Sequence, residues 1–314
     1  MKKSKSKKSA EPQQEKHIVN PIQWFPGHMA KTRRIISENL SQVDIVFELL
    51  DARAVISSRN PEIKRITAGK PVLTLLNKSD LADAAVNKKW LEYFKSAGEH
   101  ALLVDCKNFA GINSIYKETT KILSEKLERY KSRGMGGRRI RAMILGIPNV
   151  GKSSLFNKLC GAAKAKVEDR PGVTLRNQWV SANFKESAGI GLDLLDTPGV
   201  LWPKFESEEV GLNLTFIGSI KDSILDSPEN AARLCGVLHK KYPKELNARY
   251  KLDLPIGVET EAEDISDYVI FEKIAKNRGF MISGGEIDEE RCAKAILTEF
   301  RGARIGPISL EVPE

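Results

Sequence analysis

The segment GIPNVGKS, from Gly146 to Ser153, constrains the fold of this 314-residue chain more than any other feature. It fits the pattern G-x-x-x-x-G-K-[ST], follows an apolar run at residues 141–145 and opens an amphipathic stretch. A glycine-rich turn between a strand and a helix directs backbone N–H groups at phosphates, beside the positive end of the helix. There Lys152 would reach the β- and γ-phosphates, and the Ser153 hydroxyl would bind Mg²⁺. A chance glycine-rich turn is the weaker alternative.

A second motif, Asn77-Lys78-Ser79-Asp80, follows another apolar run at residues 71–76. An aspartate carboxylate only accepts hydrogen bonds, and guanine offers paired N–H donors that adenine lacks. Asp80 would therefore select guanine, Asn77 would tie the loop together, and the aliphatic stem of Lys78 would pack on the base. Four residues are a short pattern, and this one gains weight because it follows a buried strand in a chain that carries a phosphate-binding loop.

Three further elements complete the predicted nucleotide site. Asp196-Thr197-Pro198-Gly199 ends an apolar run, so that Asp196 can bind Mg²⁺ and the Gly199 N–H can sense a γ-phosphate. Thr174 lies between the phosphate-binding loop and this motif, where a switch threonine would bind Mg²⁺ and close over the γ-phosphate. Asp105-Cys106-Lys107 follows the run at residues 100–104, where GTPases usually place Ser-Ala-Lys behind the base. The predicted nucleotide contacts are Asn77, Lys78, Asp80, Asp105, Cys106, Lys107, Asn149, Val150, Gly151, Lys152, Ser153, Ser154, Thr174 and Gly199.

The order of the motifs is unusual, because the guanine motif precedes the phosphate-binding loop. A site assembled from loops tolerates this permutation, since it depends on where the loops lie in space and not on their order in the chain. One consequence is that the segment after Gly199 runs directly into the C-terminal part. Loss of the γ-phosphate, which releases switch contacts, would thereby reposition that part.

The apolar pattern divides the chain into three parts. Strand-like runs alternate with helix-like stretches, which is typical of βαβ units in a parallel sheet. Beyond Trp202 the apolar spacing becomes helical, as at residues 228–241 and 266–279. We predict an α/β fold, a permuted P-loop GTPase with a doubly wound, mostly parallel sheet, followed by a mostly helical domain. The predicted strands are 44–50, 71–76, 100–104, 141–145, 178–184 and 191–195; the predicted parts are a disordered basic tail (1–20), a G domain (21–204) and a helical domain (205–314).

Composition limits the compartment and the partners. The chain has 50 Lys and Arg against 41 Asp and Glu, a net charge of +9, which favours a polyanion such as RNA without proving one. A flexible basic joint is expected at residues 131–141, before the fourth strand. No apolar run reaches the ~18 residues of a membrane span, and no secretory or mitochondrial leader is evident, so we expect a cytoplasmic protein. The four cysteines lack metal-binding spacing and are expected as unpaired thiols. We expect Cys160, Cys235 and Cys292 to be buried, whereas Cys106 belongs to the predicted nucleotide site.

With these motifs the chain resembles the circularly permuted GTPases, and closely the YlqF/RbgA family (ribosome biogenesis GTPase A). The resemblance covers residues 21–314. It is carried by WFPGHMAK (24–31), DAR (51–53), SRNP (58–61), NKSD, GIPNVGKSS, RPGVT, DTPGVLWP and SGGE (283–286). Val55 and Leu175 depart from it, where the family has Pro and often Thr. The resemblance implies a GTPase acting late in assembly of the large ribosomal subunit, stimulated by the particle, with a helical rRNA-contacting domain.

The position after Gly199 holds Val200, which cannot orient water as the Gln of many GTPases does. Through the resemblance, His28, ahead of the first helix, becomes the candidate to orient water, with a packing role as its alternative. Asn149 resembles the asparagine of potassium-activated GTPases, which implies a K⁺ site. Trp24 and Phe25 would anchor the N-terminal arm or, less favoured, stack on bases. The predicted catalytic residues are His28, Lys152, Thr174 and Gly199, and the predicted metal ligands are Ser153, Thr174 and Asp196 for Mg²⁺ and Asn149 for K⁺.

Two other functions compete with this interpretation. The chain could be an RNA-binding placeholder in which GTP only stabilises a conformation. It could also be a related permuted GTPase of the small subunit, although those carry a barrel or a zinc motif that this sequence lacks. We expect the large subunit and its rRNA as partners, no membrane, and a monomer.

Overall fold

The structure is a computed structural model, and it describes most of the chain. The described ranges are 26–161, 179–182, 190–197, 199, 205, 207–220, 227–256 and 265–314. For residues 26–32 and for Asp196 only the backbone is described. The predicted disordered tail and the aromatic pair Trp24-Phe25 lie outside these residues.

Six strands form one sheet in the order β3-β2-β1-β4-β6-β5. All neighbours are parallel except β5, which pairs antiparallel with β6 at one edge. Each of the six predicted strands is confirmed, with ends that differ by at most one residue where both predicted ends are described. The strands are β1 (Ile45–Asp51), β2 (Val72–Asn77), β3 (His100–Leu103), β4 (Ile140–Leu145), β5 (Trp179–Ala182) and β6 (Leu192–Asp196).

The central strands are apolar because helices cover both faces of a parallel sheet. Every residue of β1 is buried, and β4 is buried from Ala142 to its end. Because parallel strands point the same way, their carboxyl ends meet at one edge. Asp51, Asn77, Val104, Gly146 and Asp196 therefore end or directly follow strands on that shared edge.

Seven helices of the described chain lie before or within the sheet region. They are α1 (Pro26–Leu40), α2 (Val55–Ser58), α3 (Pro61–Ile66), α4 (Ala84–Ser96), α5 (Ile112–Ile122), α6 (Ser124–Ser132) and α7 (Lys152–Cys160). Sequence explains two of the starts. Asn60 accepts from the Glu62 N–H ahead of Pro61, and Asp83 accepts from the N–H groups of Ala85 and Val86.

One expectation about α1 was wrong. His28 was placed ahead of the first helix, but the helix begins at Pro26, so His28 lies in its first turn. Proline favours the first helical position because its φ is already helical and the N–H it lacks would have no partner there.

The segment expected to be a flexible joint, residues 131–141, also has a hydrogen-bonded backbone. Helix α6 extends to Ser132, and the following turns are hydrogen-bonded, with the Met135 N–H donating to the Tyr130 carbonyl at 2.8 Å and the Arg138 N–H to Met135 at 3.0 Å. Strand β4 then begins at Ile140.

The C-terminal region is helical, as predicted. Its helices are α8 (Glu208–Phe216), α9 (Ser227–Lys241), α10 (Pro243–Tyr250), α11 (Asp267–Arg278) and α12 (Glu289–Arg301). Helix α9 lies at the centre and packs against the other four. The buried apolar residues of this region are continuous with those of the sheet. Among the described residues, every helix is too short or too polar to cross a bilayer.

The last residues of the chain return to the sheet region. The Leu310 N–H donates to the Arg53 carbonyl at 2.7 Å, and the Ile308 N–H donates to the Leu81 carbonyl at 3.0 Å. Helix α2 has no side-chain cap of its own, and the Glu311 carboxylate accepts from the Ile56 N–H at 2.6 Å. A side chain 255 residues away in sequence thus satisfies the start of a one-turn helix.

Candidate nucleotide site

The phosphate-binding loop joins β4 to α7 in the conformation that its glycines permit. Gly151 has φ +105°, in the left-handed region, and caps α7. A Cβ at this position would lie 2.3 Å from Nδ2 of Asn77, so the loop and the guanine motif are packed too closely for any side chain there. Lys152, the first residue of α7, is buried, and its ammonium donates to the Ile147 carbonyl at 2.7 Å. The ammonium therefore lies inside the curve of the loop, where phosphates would bind.

Asn77 connects three loops of the site. Its Nδ2 donates to the Val150 carbonyl at 2.6 Å, and its Oδ1 accepts from the Cys106 N–H at 3.1 Å. The guanine motif, the phosphate-binding loop and the Asp105–Lys107 segment are thereby held together by one buried amide. Motifs separated by 73 residues in sequence meet here, in the arrangement that a permuted site requires.

Lys78 binds to a buried ion pair that sequence reasoning did not include in the site. Its ammonium lies 2.9 Å from Oδ2 of Asp51 and 2.9 Å from the Asn149 carbonyl. Asp51 is in turn bound by Arg53 through two contacts, of 2.8 and 2.9 Å. A carboxylate that ends an apolar strand, as Asp196 also does, was the available signal for Asp51.

The charges of this cluster are mutually dependent. Asp51 is fully buried and Arg53 is 2 % exposed. Burial alone would raise the pKa of Asp51, but Arg53 and Lys78 outweigh it and hold that pKa well below its usual range. Burial lowers the pKa of Lys78, although Asp51 opposes the change. Asp51 is therefore a carboxylate at neutral pH.

Asp80, the last residue of the guanine motif, is exposed. Desolvation, followed by the nearby charge of Asp105, raises the pKa of its carboxyl. Asp105 is buried and holds its own loop, because Oδ1 accepts from the Lys107 N–H at 2.7 Å and Oδ2 from Asn108 Nδ2 at 2.7 Å. A donor-rich base edge beside Asp80 would relieve the repulsion between the two carboxylates.

Cys106 contributes its backbone to the site and its side chain to the core. It is 3 % exposed, and burial raises the pKa of its thiol to about 12. Its N–H is the group that Asn77 fixes. All four cysteines are buried and free; unpaired thiols were expected at all four positions, and burial at Cys160, Cys235 and Cys292.

Gly199 lies against the phosphate-binding loop. A Cβ there would stand 2.8 Å from the Pro148 nitrogen and 3.0 Å from the Lys152 ammonium. Thr197 anchors the approach, since its Oγ1 donates to the Ile144 carbonyl at 2.7 Å. The backbone of Asp196 ends β6 next to β4. Gly199, the ammonium of Lys152 and the end of β6 thus converge at one point, with Ser153 in the first turn of α7.

Asn149 binds the C-terminal region directly. Its φ is +59°, and its Nδ2 donates to the Gly218 carbonyl at 2.9 Å, just beyond α8. A second connection runs through Arg53, whose Nη1 donates to the Arg301 carbonyl at 3.4 Å. The Arg301 side chain then donates to the Thr215 carbonyl at 2.8 Å. Neither connection was predicted, since each joins residues far apart in the chain.

The side chains of two predicted site residues, Thr174 and His28, are not described. Thr174 lies outside the described residues. His28 is described only by its backbone, in the first turn of α1. The remaining predicted residues lie on three segments that Asn77 and Lys78 join, or at Gly199 beside the phosphate-binding loop: Asn77, Lys78, Asp80, Asp105, Cys106, Lys107, Asn149, Val150, Gly151, Lys152, Ser153, Ser154 and Gly199.

Comparison with known proteins agrees with this geometry. The sequence model of a family described as 50S ribosome-binding GTPase matches residues 141–241. The ribosome biogenesis GTPase A of Bacillus licheniformis is 45% identical over 293 residues, which cover 93% of this chain and 99% of that protein. That of Thermotoga maritima is 31% identical, covering 93% of this chain and 95% of that protein.

Solved structures give the same result. The GDP-bound structure of YlqF is 28% identical with a TM-score of 0.61, covering 89% of this chain and 99% of that one. The GNP-bound YlqF of T. maritima is 27% identical with a TM-score of 0.59, covering 90% and 99%. The permuted motifs surround a phosphate-binding loop, and a relative matches over nearly its whole length. This chain is therefore a GTPase and belongs to the ribosome biogenesis GTPase A family.

Proposed function

We propose that this protein hydrolyses GTP as an assembly factor in late maturation of the large ribosomal subunit, and that the ribosomal particle stimulates the reaction. The observation that carries the proposal is the Asn77 amide, which joins the guanine motif to the phosphate-binding loop. Relatives matched over 99% of their length are named ribosome biogenesis GTPases, which supports the role in assembly.

The residues divide the chemistry between them. The N–H groups at the start of α7 and the ammonium of Lys152 bind the phosphates, and Asp80 accepts from guanine. The donor set fits Mg²⁺, with the Ser153 hydroxyl in the first turn of α7 and Asp196 at the adjoining strand end, and we add Thr174 as the third ligand. Bound there, the ion would neutralise charge on the β- and γ-phosphates. The N–H of Gly199 would sense the γ-phosphate.

Orientation of the attacking water needs a residue other than Val200. We assign it to His28, which α1 carries in its first turn. A potassium ion would supply positive charge near the phosphates. Asn149 fits such an ion, because its Nδ2 is engaged by Gly218 and its Oδ1 remains as an acceptor.

The proposed setting follows from charge and from the relatives. A net charge of +9 favours contact with rRNA. We place the protein in the cytoplasm as a monomer that binds and leaves the particle, with a G domain over residues 21–204 and a ribosome-contacting helical domain over 205–314. The nucleotide state would act on the helical domain through the hydrogen bond between Asn149 and Gly218.

GTP hydrolysis with purified ribosomal subunits tests the proposal. We expect strong stimulation by large subunits, none by small subunits, and a higher rate in K⁺ than in Na⁺ buffer. Stimulation by neither subunit would reject the assembly role while leaving the GTPase intact.

Two variants separate the parts of the mechanism. His28→Ala should retain GTP binding and lose particle-stimulated hydrolysis, and stimulation at the wild-type rate would remove His28 from the mechanism. Asn149→Ala should abolish the difference between K⁺ and Na⁺. A hydrolysis-dead variant that still supported subunit maturation would favour the placeholder alternative.

A further inference from the structure

A basic surface lies at the edge of the sheet opposite the nucleotide site. Between residues 126 and 141 the chain has seven Lys and Arg and a single acid, Glu128. These residues cover the end of α6, the turns that follow and the start of β4. The six residues of β4 put about 20 Å between this edge and the phosphate-binding loop, at roughly 3.3 Å per residue.

Asp44, which precedes β1, fixes the surface in place. It is 3 % exposed, and its Oδ1 lies 2.7 Å from the Lys126 ammonium. The Tyr130 hydroxyl donates to the same oxygen at 3.3 Å, and the Arg141 N–H donates to Oδ2 at 2.9 Å. One buried carboxylate thus holds α6 against β1 and β4, so the cations around it are mounted on ordered elements.

Two arginines of this surface lie on aromatic rings. The Arg138 guanidinium is 4.7 Å from the centre of the Tyr130 ring, and that of Arg141 is 5.3 Å from the Trp179 ring. A guanidinium stacked in this way keeps its edge N–H groups available, apart from the Arg141 Nη1 that donates to Gln42 Oε1 at 3.0 Å, and that edge matches phosphate geometry. Such pairs also suit the stacking of an unpaired base.

Much of the positive charge here is not neutralised within the part of the chain that the structure describes. Arg129, Arg133, Arg138 and Arg141 have no carboxylate within ion-pair distance there, whereas Lys131 is paired with Glu128. Arg129 and Arg133 are exposed, and they line a groove of ≈ 550 Å³ together with Lys70, Lys126 and Tyr130; Glu125 is the acid on its wall. A plain solvated face would carry charges of both signs in closer balance.

We propose that this surface, formed by Lys126, Arg129, Tyr130, Arg133, Arg138 and Arg141, binds the phosphate backbone of RNA. It deepens the proposed function, on which the identity of the RNA as rRNA depends. The groove supplies cations at fixed spacing, and the Arg–aromatic pairs supply stacking and bidentate contacts. Because it lies at the amino ends of the strands, RNA and guanine nucleotide can bind at the same time.

Fluorescence anisotropy with a labelled RNA duplex tests the surface, using the full-length chain. The variant is Arg129→Glu with Arg133→Glu, since the first side chain donates only to its own helix and the second makes no described side-chain contact. The control is Lys88→Glu with Lys89→Glu, an equal charge change at two exposed residues of α4. We expect the double variant to raise the Kd for the duplex about tenfold or more. The plot of log K against log salt, whose slope is negative, should become less steep by about 2.

Affinity and basal hydrolysis of the control should match those of the wild type, and basal hydrolysis of the variant should also be unchanged. Equal loss of RNA affinity in variant and control would assign binding to net charge and overturn the proposal. Binding of the wild type to anionic phospholipid vesicles but not to RNA would overturn it as well. Arg138→Glu, tested separately, should weaken RNA binding too. If both the double variant and Arg138→Glu bind the duplex with wild-type affinity, the proposed surface is rejected.

Sedimentation with purified large subunits separates this proposal from the function on which it rests. If the wild type sediments with large subunits and the double variant does so equally well, the surface is wrong and the assembly role stands. If the wild type does not sediment with them, yet the variant loses affinity for the duplex, the surface stands and the assembly role fails.

Discussion

Replacement of Asp51 by Asn isolates the buried cluster beneath the guanine motif. Asp51 is fully buried between Arg53 and Lys78, and the change removes one negative charge from two cations. Removal of one partner from a buried pair leaves the other uncompensated and costs about 3–5 kcal/mol. Because the Asn side chain keeps one acceptor, we expect a loss near the lower end, about 3 kcal/mol of unfolding free energy.

Urea denaturation at pH 7 measures this loss, with Asp253→Asn, at an exposed aspartate, as the control. The control should change stability by no more than about 0.5 kcal/mol. The double variant with Arg53→Met should recover part of the loss, since it also removes the uncompensated charge. A loss below about 1 kcal/mol for Asp51→Asn, or no coupling to Arg53, would refute the role assigned to the pair.

The pH dependence gives a second test of the same residue. The pKa of Asp51 is lower in the folded than in the unfolded chain, whose value is about 3.9. The stabilisation is therefore complete above that value and is lost as pH falls toward the folded pKa. The difference in stability between wild type and Asp51→Asn should shrink from pH 5 to pH 3, and a difference that grows with acidification would contradict the assignment.

Three further changes test other parts of the structure. Asp80→Asn should shift preference from guanosine to xanthosine triphosphate by about tenfold or more, measured by competition against a fluorescent GDP analogue, because the amide presents a donor to the base; unchanged preference would reject the guanine motif. Gly199→Ala places a methyl group 2.8 Å from the Pro148 nitrogen and should weaken GTP more than GDP by about tenfold, and equal effects in a nucleotide titration would contradict γ-phosphate sensing. Deletion of residues 308–314 exposes the sites of Ile308 and Leu310 and should cost about 3–5 kcal/mol in urea unfolding, whereas deletion of 313–314 alone should cost little.

Local patterns in the sequence predicted the sheet and the nucleotide loops. Strands that are buried on both faces of a parallel sheet read as nearly continuous apolar runs, so those at β1 and β4 were visible without any structure. The phosphate-binding loop was visible because its chemistry requires glycines and Lys152 at fixed spacing between strand and helix. The order of the motifs, which the sequence displays directly, predicted the permutation.

Contacts between distant segments were decided by the tertiary structure alone. The bond from Asn149 to Gly218, the cap that Glu311 supplies to α2 and the bond from Arg53 to the Arg301 carbonyl leave no periodic or spaced pattern in the chain. Glu311 in isolation is an ordinary acidic residue, and Arg53 an ordinary basic one. Sequence determines which elements form because that depends on neighbours along the chain, whereas the partner of a side chain across the fold depends on how the elements pack.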